Sequence, residues 1–263
     1  MITKANDRNS KIFLTGSKGF IGSQVANKLK ASNFSVTYGK IVESDKGIMI
    51  NESLDLKEYD CICHIGASSK RSNNYSDIIE KNIIHTENIF YNASKHKNIK
   101  VVFISANSVV GTSSQNVINF NSSPLPKEIY SVSKFLGEEI LLNYVDRSNA
   151  SIIRLPAVYG IESNRQGLLD RFIELSMNNE KIIISNENSL FNNAAIIDDV
   201  VDFIVKSIVD IKEFCGHDFI LGSSNSMSIM DIVLRIKNKI RSSSDIVTET
   251  SKKQAKELLH YNG

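Results

Sequence analysis

Lys11-Ile-Phe-Leu-Thr-Gly-Ser-Lys-Gly-Phe-Ile-Gly22 decides how the rest of the chain is read. Its apolar run, Ile12 to Leu14, has the length of a buried strand. Three glycines follow at positions 16, 19 and 22, and Val25, Ala26 and Leu29 then recur at helical spacing. Strand, glycine turn and helix in that order suit a dinucleotide pyrophosphate. Gly16 takes the tight turn, Gly19 lets the backbone approach the phosphates, and Gly22 lets helix and strand pack closely. The start of the helix offers N–H groups and a positive dipole end to the anion.

Outward from this stretch, strand and helix keep alternating. Phe34 to Tyr38 reads as a second strand, running into Gly39-Lys40. At the end of such a strand an acidic residue suits the ribose hydroxyls of NAD, and a basic one the 2′-phosphate of NADP. Lys40 holds that position and Lys18 lies in the glycine loop, so NADP is the expected cofactor and NAD the alternative. Residues 47–50 predict a third short strand ending at Asn51, and residues 54–59 a brief helix. Residues 60–67 predict a fourth strand whose small exit residues leave room for a cofactor to pass. His64, inside that strand, reads as a hydrogen-bonded structural residue.

Residues 78–96 predict a long helix with Ile79, Ile83, Ile89, Phe90 and Ala93 facing the core, and Asn82 among its apolar neighbours. A fifth strand, 100–104, leads into Ser105-Ala-Asn-Ser-Val-Val-Gly111. Residues 112–126 form a polar loop suited to lining a cleft. A helix then opens at Tyr130-Ser-Val-Ser-Lys134. Residues 151–160 give a sixth strand and its exit. Later patterns are a helix at 168–177, strands at 181–184 and 219–221, and helices at 200–209 and 229–240. Asp198 or Asp199 is expected to cap the helix at 200 rather than to bind metal. A weak helical signal lies near 255–259.

Composition excludes several classes. The 263 residues carry a net charge of +2, too small to argue for nucleic acid or membrane surfaces. No apolar run approaches the roughly 18 residues of a membrane span. Residues 1–10 are polar and read as a loose leader, not a secretory signal. Cys61, Cys63 and Cys215 suggest no disulfide framework. Cys61 and Cys63 alternate in an apolar run and read as buried thiols, with no other ligands nearby to make a metal site. A reduced, cytoplasmic setting fits.

Tyr130 and Lys134 lie four apart, on one face of a helix. A phenol with a pKa of about 10 is a poor acid–base catalyst at neutral pH. A nearby ammonium favours the phenolate and lowers that pKa. The same lysine can hold the nicotinamide ribose.

These motifs, in this order, resemble those of the extended short-chain dehydrogenase/reductases, in particular the NAD(P)-dependent epimerase/dehydratase group acting on nucleotide sugars. The likeness rests on Thr15-Gly-Ser-Lys-Gly-Phe-Ile-Gly22, Asp60-Cys-Ile-Cys-His-Ile-Gly-Ala67, Asn82, Ile104-Ser-Ala-Asn-Ser-Val-Val-Gly111, Tyr130-x-x-x-Lys134, Arg154-Leu-Pro-Ala-Val-Tyr-Gly160 and Ile197-Asp-Asp-Val200. It spans about residues 11 to 240. It implies an α/β fold: a Rossmann-type doubly wound parallel sheet with a small C-terminal substrate lobe. Residues 11–160 would form the dinucleotide-binding core, with segments near 195–210 returning to it, and 161–263 mainly the lobe. Implied cofactor contacts are Gly16, Ser17, Lys18, Gly19, Phe20, Ile21, Gly22, Lys40, Asn51, Ile65, Gly66, Ala67, Asn82, Tyr130, Lys134, Pro156, Ala157 and Val158. Members often pair through four helices that include the one carrying Tyr130, so a homodimer is an expectation of the likeness.

Three departures bear on the reaction. Ala106 stands where the family places a catalytic Ser or Thr, and Val110 replaces the Tyr of the same motif. Ser108 is the expected substitute hydroxyl. Ser105, the other candidate, is on the opposite face of an extended strand and is expected to be structural. The chain also ends early against many members, so an incomplete or abbreviated lobe is expected. Dehydratases of this group place an Asp-Glu pair where Asn107 and Ser108 stand, so dehydration is not expected. The reading is a nucleotide-sugar 4-keto reductase using NADPH hydride and a Tyr130 proton. The alternatives are a 4-epimerase with tightly bound NAD and a non-catalytic NAD(P)-binding protein.

Overall fold

The computed structural model describes residues 10–40, 47–51, 53–68, 74–111, 117–118, 122–160, 167–185, 187, 194–222, 227–249 and 260–261. In chain order the elements are β1 (Lys11–Thr15), α1 (Phe20–Ala31), β2 (Ser35–Lys40), β3 (Ile48–Met49) and β4 (Cys61–His64). Next come α2 (Tyr75–Ile79), a π-helical turn (Glu80–Ile84), α3 (His85–Ser94), β5 (Lys100–Ala106), β6 (Val117–Ile118), α4 (Ile129–Tyr144), β7 (Ala150–Leu155) and β8 (Ala157–Tyr159). The chain continues through α5 (Leu168–Met177), β9 (Ile182–Ser185), β10 (Ala194–Ile196), α6 (Ile197–Val209), α7 (Ile211–Phe214), β11 (Asp218–Ile220), α8 (Ile229–Ile240), β12 (Ile246–Glu249) and β13 (His260–Tyr261).

Two compact units result. The first gathers Met1–Gly111, Ser123–Leu155 and Ile197–Leu221. Its seven-stranded sheet runs β11-β7-β5-β4-β1-β2-β3, with every pairing parallel. Central strands β1 and β4 are buried along almost their whole length, as a sheet covered on both faces requires. Helix α1 packs with α6, and α3 with α4. The chain leaves β1 toward β2 in one direction and β4 toward β5 in the other. Right-handed crossovers therefore put the two helix pairs on opposite faces. The core around Phe13, Ile62, Phe90, Phe103 and Leu141 lies under the α3–α4 pair.

The second unit gathers Thr112–Ser122, Pro156–Ile196 and Gly222–Gly263. Among its described residues are three two-stranded parallel ribbons, β8–β10, β9–β12 and β6–β13. Phe172 of α5, Ile182 and Ile184 of β9, and Val233 of α8 form its own small core. Ser228 caps α8 by accepting from the Asp231 N–H at 3.0 Å.

Several local expectations change. Residues 54–59 form turns, not a helix. Leu54, Leu56 and Tyr59 are all buried in the main core, and that spacing fits no helical face. The segment from 75 to 94 is helical but contains the π turn. Its wider winding turns Ile78, Asn82 and Thr86 inward and leaves Ile79 exposed. Asp198 and Asp199 lie inside the first turn of α6, not before it, where their charge still suits the helix dipole. Strand β5 runs on through Ser105 and Ala106. Residues 1–9, 191–193, 255–259 and most of the 112–126 loop lie outside the described residues.

Gly137, in the interior of α4, was not singled out by the sequence pattern. A Cβ there would lie 2.7 Å from Cζ of Phe103, so α4 reaches the sheet only because this side chain is absent. Gly137→Ala is expected to cost about 1–3 kcal/mol through overpacking. Thermal unfolding should show a loss of roughly 3–10 °C in Tm. An unchanged or higher Tm would mean that α4 has slack against β5.

Candidate active site

The sheet order reverses between β1 and β4, and the carboxyl ends of those strands open the crevice where doubly wound sheets bind ligands. Thr15 ends β1 level with His64, which ends β4. The Thr15 hydroxyl lies 2.6 Å from His64 Nδ1 and accepts from the Gly66 N–H at 3.0 Å. His64 Nε2 lies 2.9 Å from the Thr86 hydroxyl. Both ring nitrogens are therefore engaged by hydroxyls, an arrangement that a neutral imidazole satisfies. Burial first, and then the Lys134 charge, push the His64 pKa well below its ordinary value. His64 is a structural residue, as its sequence context suggested.

This network presses two backbones together. A Cβ on Gly16 would lie 2.7 Å from Gly66 N, and Gly16 has φ +75°. A Cβ on Gly22 would lie 2.1 Å from the Gly16 carbonyl oxygen. The Gly19 N–H donates to that same oxygen at 2.9 Å. Gly19 is the N-cap of α1, which has no side-chain cap and no acidic residue in its first turn. The result is a surface made of backbone, with a positive helix end whose first turn carries no acidic residue to oppose an anion. These features fit a dinucleotide pyrophosphate.

The expected cofactor residues take several positions. Gly16 and Ser17 are half-buried in the loop, Lys18 and Gly19 exposed, Phe20 and Ile21 half-buried, and Gly22 buried. Lys40 closes β2, whose Tyr38 stands level with Leu14, so Gly39 and Lys40 run beside the start of the loop. Ile65, Gly66 and Ala67 leave β4 directly after His64, with Ala67 exposed. Asn51 uses its side-chain oxygen to accept from the Ser53 N–H and hydroxyl. It also lines a cleft of about 860 Å³ with Ile50, Ser76, Ile79 and His85. Pro156, Ala157 and Val158 belong to the second unit.

Asn82 is 2% exposed, and its amide is committed to the protein. Its oxygen accepts from the Ser68 N–H at 2.6 Å, and its nitrogen donates to the Ser68 carbonyl at 3.2 Å and the Ser133 hydroxyl at 3.0 Å. Ser133 in turn donates to the Tyr130 carbonyl at 2.7 Å. The π turn aims Asn82 inward, where it ties the β4 exit to the helix of Tyr130. It presents almost no surface to a ligand and acts as a tie between the two segments.

Tyr130 and Lys134 open α4, with Tyr130 half-buried and Lys134 buried. Lys134 Nζ sits 4.2 Å from the centroid of the Phe103 ring, within cation–π range. Burial pulls the ammonium down to a pKa of about 7, against the opposing effect of the Glu138 carboxylate. Ser105 is buried, and its hydroxyl donates to Glu138. The Ser108 hydroxyl is shielded from solvent and has no hydrogen-bond partner among the described residues. Asn107 donates to the Leu221 carbonyl at 2.7 Å. Of the two candidate hydroxyls, Ser105 is thus engaged inside the protein and Ser108 is not.

Sequence reasoning missed Thr15, Thr86, Ser133 and Glu138. Only Glu138 left a usable trace: an acid one turn past Lys134 on the same helix face. Asn82→Ala would leave the buried Ser68 N–H unpaired, at about 1–3 kcal/mol. Urea unfolding should show a lower midpoint with an unchanged slope. A loss under about 0.5 kcal/mol, within the ordinary range for a surface change, would show that Asn82 ties nothing.

Comparison with known proteins agrees with this geometry. Residues 12–222 match the NAD dependent epimerase/dehydratase family. The dTDP-D-glucose 4,6-dehydratase of Dictyostelium discoideum is 25% identical over 272 residues, which cover 87% of this chain and 62% of the relative. The chain thus spans less than two thirds of that relative's length. In fold, it is similar to UDP-glucuronic acid 4-epimerase from Bacillus cereus in complex with UDP-glucuronic acid and NAD. That match has a TM-score of 0.79 at 21% identity, over 96% of this chain and 90% of the other. A dTDP-4-dehydrorhamnose reductase from Bacillus anthracis in complex with NADP gives 0.76 at 16% identity, over 93% and 85%. The fold, the glycine cradle and the match over residues 12–222 place this chain in the NAD dependent epimerase/dehydratase family.

Proposed function

We propose that this protein is an NADPH-dependent reductase of nucleoside-diphosphate 4-keto sugars. The observation that carries the reading is the pairing of Tyr130 with a buried Lys134 on one face of α4. Residues 16–22, Lys40, Asn51 and residues 65–67 would hold the dinucleotide, with Lys18 and Lys40 facing the 2′-phosphate. NADPH, when bound, supplies the hydride. Tyr130 gives its phenolic proton to the C4 oxygen, and the Lys134 ammonium stabilises the phenolate left behind. Ser108 donates a hydrogen bond to the same oxygen, the role that Ala106 cannot fill. Asn107 and Ser108 offer no carboxylate at the positions where dehydratases carry theirs, which counts against elimination of water. The second unit, with Pro156 to Val158 at its start, is assigned the sugar nucleotide. Pairing through the α3–α4 face and a cytoplasmic setting complete the proposal. Three free cysteines suit a reducing compartment. Among the described residues no helix is long and apolar enough to cross a membrane.

The test is NADPH oxidation followed with a nucleoside-diphosphate 4-keto sugar. Turnover is expected with that sugar and not with free hexoses. Tyr130→Phe should abolish turnover while leaving NADPH affinity nearly unchanged. Ser108→Ala should lower turnover by about 10²-fold, as loss of one oxyanion donor does. Lys40→Asp should weaken NADPH more than NADH. Interconversion of two nucleotide sugars without net NADPH oxidation would replace this reading by a 4-epimerase. Tight dinucleotide binding with no turnover of any nucleotide sugar would favour a binding protein.

A further inference from the structure

Glu138 lies one turn beyond Lys134 on α4 and is buried. Its carboxylate accepts from the Ser105 hydroxyl at 2.5 Å, from Arg154 Nε at 2.9 Å and from Arg154 Nη2 at 2.7 Å. The Arg154 side chain is 11% exposed. Ser105 and Arg154 stand level on neighbouring strands β5 and β7, so the sheet register sets both donors side by side. The arginine grips the carboxylate in two-pronged fashion and the serine fixes one of its oxygens.

Stability alone is a weak reason for such a pair. A buried ion pair is often no better than apolar side chains of the same size. What distinguishes this one is its neighbour. Lys134, also buried, lies one turn away on the same helix, and its surroundings come from the elements around it. His64 of β4 is neutral, Phe103 of β5 is apolar, and Glu138, one turn along the same helix, carries the carboxylate that favours the charged amine. Phe103 of β5 contributes its ring face, and Tyr130 lies one turn the other way. Without the carboxylate to offset its burial, the ammonium would sit in a buried site against the Phe103 ring, and its neutral form would be favoured.

We infer that Ser105, Arg154 and Glu138 form a buried clamp that fixes a carboxylate one turn from Lys134 and so favours the ammonium over the neutral amine on the face of α4 that carries Tyr130. Glu138 is then a positioning residue. Arg154 and Ser105 hold its carboxylate in place one turn from Lys134 on α4, and the Ser105 hydroxyl serves this clamp and not the substrate. The clamp itself is independent of the substrate; only its catalytic consequence rests on the reductase reading.

The clamp predicts a titration that can be read without substrate or cofactor. In ligand-free protein labelled with ¹⁵N-lysine, the Lys134 Nζ resonance is followed against pH. Glu138→Gln should move its midpoint toward acid by about one unit or more. Glu138→Asp keeps a carboxylate for Arg154 but draws it back from Lys134, so its shift should be smaller and in the same direction. If the Gln variant does not fold, the Asp variant carries the test. In turnover assays the alkaline loss of activity should move by the same amount in each variant. Folded variants that keep the wild-type midpoint would overturn the clamp. Shifted midpoints in a protein that reduces no keto sugar would uphold the clamp and remove the reductase reading.

Discussion

The Thr15 hydroxyl holds the loop that follows β1 against the chain that leaves β4, and the rest of the site is arranged around that contact. Gly16 and Gly66 approach so closely that no side chain fits between them. The approach is fixed from one side by the Gly66 N–H on Thr15, and from the other by His64, which Thr15 and Thr86 together hold in place. A parallel sheet provides this for geometric reasons. Thr15 and His64 are register partners at the carboxyl ends of adjacent strands, at the point where the strand order reverses. The glycine loop is therefore shaped by polar groups on neighbouring strands as well as by its own composition.

Two further ties attach helix α4 to the same strand ends. Asn82 links Ser68, beyond β4, to Ser133 and so to the turn of Tyr130. Glu138 links the next turn of α4 to β5 and β7 through Ser105 and Arg154. Gly137 lets the helix come close enough for both. The Tyr130–Lys134 pair thus stands on a helix fixed above and below, against a sheet whose ends form the nucleotide cradle. Such rigidity suits the proposed reaction, whose rate would depend on placing a proton donor and a charge accurately.

Much of this was legible in the chain. The glycine spacing and the Tyr130-x-x-x-Lys134 spacing are local signals, and they lie between β1 and α1 and at the start of α4. The segment at 54–59 was misread because Leu54, Leu56 and Tyr59 are spaced for neither helix nor strand; they bury wherever turns can deliver them to the core. The π turn escaped because periodicity assumes a constant winding, and one wide turn shifted the buried face from Ile79 to Ile78 and Asn82. The ties were invisible for another reason. Thr15 and Gly66 are 51 residues apart, and Ser105 and Glu138 are 33 apart. Their pairing is a product of strand order and register, which no local pattern encodes. Strand parity separated Ser108 from Ser105 in the sequence, whereas the partner that engages Ser105, Glu138, comes only from the fold.

The most direct measurement is the affinity of Thr15→Val for NADPH. Valine keeps the shape of threonine but removes the hydroxyl that accepts from Gly66 and meets His64. If that hydroxyl fixes the cradle, the variant should fold, with the Gly66 N–H left without its partner, and titration of NADPH by fluorescence should show a dissociation constant raised about tenfold or more, corresponding to roughly 1.4 kcal/mol. A folded variant that binds NADPH as tightly as the wild type would contradict the account, because the glycine loop would then hold its shape without the contact on which the site is said to depend.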